Sequence, residues 1–104
     1  MDTPKNITLD LTNCKYLGEM HLRIKEAFGF PDFYGQNWSA FWDLLREPRY
    51  CTVVEIKGTK TLPNEFGRYI EKITELMQRK KEKEEVYMER HPYFDCRFDY
   101  RIID

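Results

Sequence analysis

Residues 51–56 read Cys51-Thr52-Val53-Val54-Glu55-Ile56, a short run of largely β-branched side chains bounded by Gly58. Branching at Cβ stiffens χ1 and suits a pleated, half-buried surface, so the run reads as a strand. What flanks it makes it the central one. Upstream, Asn6-Ile7-Thr8-Leu9-Asp10-Leu11 alternates polar and apolar residues at period two and ends at the turn-forming Thr12-Asn13, a first strand. Downstream, Tyr93 to Ile103 (YFDCRFDYRII) alternates aromatic or apolar with charged residues, a final strand with one face partly open to water.

Helical spacing fills the intervals. Leu17, Met20, Ile24, Ala27 and Phe28 mark one face of a helix that Gly29 and Pro31 terminate. His21 falls off that stripe and reads as a surface residue. Asn37 is a good N-cap for a second helix, Trp38 to Arg46, which Pro48 closes. From Pro63, the positions Phe66, Tyr69, Ile70, Ile73, Leu76 and Met77 form the stripe of a third and longest helix. Gln78 to Arg90 is mostly Lys, Arg and Glu of mixed sign and reads as solvated filler, either a helix extension or a mobile loop before His91-Pro92. The order strand, helix, helix, strand, helix, strand leaves enough chain between strands for crossovers. An α/β fold is expected, with a three-stranded parallel sheet packed with helices.

Length and composition bound the rest. The chain has 104 residues, enough for one core and too few for two, so residues 1–104 are expected to form a single domain. A formal net charge of −1 gives no basic footprint for a phosphate backbone, which disfavours direct nucleic-acid binding. Cys14, Cys51 and Cys96 are odd in number, widely spaced and form no C-x-x-C pair, so free buried thiols are expected. No signal-like apolar segment and no membrane-spanning run is present, which fits a cytoplasmic protein without membrane contact.

Catalytic signatures are weak. The two histidines have no recognisable cysteine or serine partner, and Gly58-Thr59-Lys60-Thr61 lacks the earlier glycine of a phosphate loop. No metal site and no cofactor is implied. The unusual segment is Phe30 to Glu47: three aromatics lie among turn residues in Gly29–Gln36, an apolar composition beyond what a connector needs. Advancing about 100° per residue, Phe41 and Leu45 fall beside Trp38 on a core-facing side, while Ser39, Asp43 and Arg46 fall on another. Trp42 lies at the margin, next to an aspartate, with the composition of an interface hot spot; a partly buried core tryptophan is the alternative.

At these residues the sequence resembles the barstar family, intracellular inhibitors of barnase-type ribonucleases. The resemblance runs without gaps from about Glu19 to Arg46, through Met20-His21, Pro31-Asp32-Phe33-Tyr34-Gly35, Asn37 and Ala40-Phe41-Trp42-Asp43. It implies a parallel three-stranded sheet covered by helices, and an immunity or antitoxin function with no enzymatic activity. The loop and helix around residues 30–47 would plug the active site of a small toxic ribonuclease in a one-to-one complex, with carboxylates in place of substrate phosphates. It places Phe33 at an aromatic contact, Asn37 at a polar one, Trp42 at an interface tryptophan and Asp43 at the central acidic anchor. Tyr34, Gly35, Gln36 and Arg46 complete the contact segment, and Glu75 corresponds to a further acidic contact from the last helix. Two departures stand out: Ser39 occupies an acidic position of the family, and Phe33 replaces a tyrosine. With the modest net charge, they point to a partner less basic than barnase, or to a different toxin or regulatory partner. A small α/β enzyme or nucleotide-binding domain with a pocket at the strand ends is the rival of another class.

Overall fold

The computed structural model describes residues 5–46, 52–93 and 98–104. Strand β1 (Lys5–Asp10) leads to helix α1 (Leu17–Phe28), helix α2 (Trp38–Arg46) and strand β2 (Thr52–Lys57). Two 3₁₀ turns, Thr59–Thr61 and Asn64–Phe66, precede helix α3 (Gly67–Arg90), and strand β3 (Phe98–Ile102) follows. The sheet order is β1-β2-β3 with both pairings parallel, so the β-branched run is the central strand.

Register explains which side holds the core. Ile7 pairs with Val54 and Leu9 with Ile56, and these four side chains are buried together with Phe98. Helix positions Met20, Ile24, Phe28, Phe41, Leu45, Ile73, Leu76 and Met77 close over them in one apolar cluster. The opposite face is open: Arg101 reaches across to Glu55 at 2.7 Å, an exposed pair that contributes about 0–1 kcal/mol. The alternation of the last strand has this cause.

The chain turns where local chemistry demands it. Gly29 adopts φ 68°, and its N–H and that of Phe30 bond back to Glu26 and Lys25, closing α1 with a left-handed cap. At Gly58, φ is 84° and a side chain would strike the backbone of Thr12, so glycine is required where β2 passes the end of β1. Asp10 accepts from the backbone and hydroxyl of Thr12, which hold its carboxyl below the usual carboxylate range.

Two expectations are corrected. The charged stretch from Gln78 is no solvated filler: α3 runs unbroken to Arg90, and Lys80 and Glu84 have side chains only 1% exposed, with Nζ and Oε1 2.8 Å apart. Both lie at helical spacing from Ile73 and Met77, so position on the buried stripe outweighs residue type. Aliphatic stems cover apolar surface, and the two charges pair. Lys81–Asp99 at 3.2 Å and Tyr100 Oη–Gln78 Oε1 at 2.8 Å then tie β3 to the same helix.

His21 is the second correction. It is 1% exposed rather than a surface residue, because the loop after α1 folds back over it. Cys14 is buried with a free thiol, and burial pushes its pKa up; Cys51 and Cys96 lie outside the described residues. So do Glu47, Pro48 and residues 94–97 of the expected last strand, whose first residue, Tyr93, lies instead in an exposed turn. Among the described residues no helix is long and apolar enough to cross a membrane.

Candidate functional site

The loop between α1 and α2 is held from below by aromatic rings. Phe30 stacks on Phe28 at 5.3 Å between centroids and meets Tyr34 at 5.2 Å, while Phe41 of α2 lies 5.9 Å from Phe28. Such contacts each add about 0.5–1.5 kcal/mol beyond area burial. Tyr34 is buried, so its side chain works inward, unlike the contact role expected for it. Its hydroxyl lies 2.6 Å from His21 Nδ1, and the His21 ring packs 4.6 Å from that of Trp38, the first residue of α2. Burial lowers the His21 pKa and raises that of the Tyr34 phenol, so it favours the neutral form of both groups.

Anchored there, the loop presents its remaining side chains outward. Phe33 is 79% exposed, an apolar ring with no core to cover it. Gly35 passes close to the helix start, where an added Cβ would lie 3.3 Å from both Ala40 and Asn37. Gln36 adopts φ 52°, which turns the chain into the cap. Asn37 Oδ1 accepts the Ala40 N–H at 2.8 Å and its Nδ2 donates to Gly35 O at 3.1 Å. The amide therefore fixes both loop and helix, while staying exposed.

Along α2 the wheel holds. Phe41 and Leu45 are buried, Trp38 is half-buried, and Ser39, Asp43 and Arg46 face water. The Asp43 side chain is 66% exposed, with Arg46 Nε 3.6 Å away, close enough to orient the carboxylate without burying it. Trp42 is half-buried at the margin and turns toward α3. Arg79 lies over its ring at 5.2 Å and Lys83 at 5.8 Å. Glu75, also on α3, is exposed and bridges Lys72 at 3.7 Å and Arg79 at 3.4 Å.

The structure thus gathers Trp42, Asp43 and Arg46 with Glu75 through Arg79, and joins them to the loop through the cap at Asn37. Sequence reasoning overlooked His21 as the loop's anchor, and Arg79 and Lys83 as neighbours of Trp42. A signal for the last two existed in their i, i+4 spacing, which places them on one strip of α3. Nothing local showed which strip faces α2.

A family model described as Barstar (barnase inhibitor) matches residues 5–97. The chain belongs to the barstar family. Members of the barstar family are inhibitors that bind ribonucleases, not enzymes. No curated protein matches the chain. In the strand-end loop Gly58 to Thr61, which the sequence already found too poor to support an enzyme's pocket, three polar groups are engaged within the fold. Thr61 Oγ1 bonds Gly58 O and accepts the Asn13 N–H, and the Thr59 N–H donates to Asp104.

Proposed function

We propose that this chain is an inhibitor of a barnase-type ribonuclease, acting as an immunity protein within the cell that makes the enzyme. Residues Phe33 to Arg46 enter the nuclease cleft in a one-to-one complex, and Asp43 occupies a position otherwise held by a substrate phosphate. The observation that carries the reading is the Asp43 carboxylate. It is exposed beside a half-buried tryptophan, on a helix whose first turn is locked by Asn37 and by the His21–Trp38 contact.

The mechanism follows from charge and rigidity. A ribonuclease cleft presents cations to hold phosphates, and a preset carboxylate forms charge-assisted hydrogen bonds to them without ordering a flexible segment. Phe33 and Trp42 exclude water around that contact, as apolar neighbours of a hot spot do. On binding, Asp43 exchanges Arg46 for a cation of the enzyme. The Glu75 carboxylate reaches the rim from α3. Gly35 and Gln36 contribute backbone, Ser39 a small hydroxyl, and Tyr34 supports the loop from inside.

The test is Asp43→Ala in the complex with the cognate ribonuclease, measured by titration calorimetry. Truncating one partner of a desolvated charge pair costs about 2–5 kcal/mol, so affinity should fall by a large factor. Unchanged affinity would remove Asp43 as anchor.

A further inference from the structure

The charges around Trp42 are not those of a plain phosphate mimic. Along the strip formed by α2 and α3, exposed Arg46, Arg79 and Lys83 and half-buried Lys72 stand against exposed Asp43, Glu75 and Glu82. Four of these seven are cations. Arg79 is partly neutralised by Glu75 at 3.4 Å, whereas Lys83 makes no ion pair among the described residues and has the Trp42 ring as its contact. Its charge is therefore free to act on a partner. Beside them Arg79, Glu82, Lys83 and Val86 line an open depression of about 290 Å³, large enough to receive a side chain.

A nuclease rim basic throughout would be attracted by Asp43 and repelled at the adjoining Trp42, over whose ring Arg79 and Lys83 lie. Like charges facing each other across a contact suppress association more strongly than rim pairs promote it. A rim that changes sign meets both features. We infer that Arg79 and Lys83 are specificity residues of the inhibitory face. They accept a nuclease whose rim carries carboxylates next to the cation that meets Asp43, and they reject one whose rim is uniformly basic. The inference rests on the reading of Asp43 as the anchor.

The experiment uses a barnase-type ribonuclease with a basic cleft rim as the probe, and compares affinity by surface plasmon resonance at low and high salt. Arg79→Glu with Lys83→Glu should bind this probe about tenfold or more tighter than the wild type, with the gain shrinking as salt rises. Arg79→Gln with Lys83→Gln, which removes charge without adding any, should fall between the two. No gain from either variant, including no detectable binding by any form, overturns the inference. Adding Asp43→Ala to the charge-reversed protein separates the two claims. Loss of the gained affinity supports both, while a gain that survives the alanine discards Asp43 as anchor and leaves Arg79 and Lys83 as the selective pair.

Discussion

The Tyr34 hydroxyl lies 2.6 Å from Nδ1 of His21, a buried bond that joins the loop before α2 to the middle of α1. The other imidazole nitrogen, Nε2, is buried with no hydrogen-bond partner among the described residues. The ring is therefore held by a single polar contact and by the indole of Trp38, and burial favours its neutral form.

A pH dependence follows. Desolvation lowers the His21 pKa from 6.5, so on acidification the unfolded chain takes up a proton that the folded protein resists. The stability concerned is fully present above the unfolded pKa and is lost as pH falls toward the lowered folded value. Thermal melts at about pH 7.5 and about pH 5.5 should show a decrease in Tm for the wild type that His21→Gln largely removes. Equal decreases in both proteins would assign the sensitivity to other groups. Tyr34→Phe, which strips His21 of its partner, should cost about 1–3 kcal/mol in urea denaturation at neutral pH.

Asn37 carries the helix start. Replacing it with alanine leaves the Ala40 N–H without its cap and frees Gly35 O, so stability should fall by about 0.5–2 kcal/mol. Asn37→Asp should recover only part of the loss, since a carboxylate caps the Ala40 N–H but has no donor for Gly35 O. A stability series that ranks aspartate with alanine would contradict the capping role.

The Lys80–Glu84 pair sits where the sheet side of α3 would otherwise be apolar. Lys80→Met takes the 2.8 Å counter-charge from the buried Glu84 and Glu84→Leu takes it from the buried Lys80, so each alone should cost about 3–5 kcal/mol. The double variant should be far less damaged than the sum, because two uncharged side chains of similar length satisfy the same site. Chemical denaturation of all four proteins closes the cycle. Additive losses would show that the two charges do not act as a pair.

Most of the scaffold was legible from short-range pattern. Thr52 to Ile56 announced the central strand because branched side chains have few alternatives, and α2 appeared at its observed bounds because Asn37, Trp38, Phe41 and Leu45 mark a cap and a stripe within two turns. Of the candidate face, Asp43, Ser39 and Arg46 were placed correctly on the exposed side of α2 by the helical period alone.

What local pattern misjudged were the side chains whose surroundings come from distant chain. His21, read as off the stripe of α1, in fact sits at helical spacing from Leu17, Ile24 and Phe28, and the loop 13 residues later covers it and supplies its hydrogen-bond partner. Lys80 and Glu84 have solvent-loving chemistry, and only the packing of α3 against the core buries them together. Trp42 was marginal by periodicity, and the cations over its ring come from residues nearly forty positions away. The sequence by itself determined the elements and their order, since these depend on backbone preference and periodicity within a few residues. The tertiary structure decided the charge state of the buried groups and the charge pattern of the face, because desolvation and pairing depend on neighbours that only folding assembles.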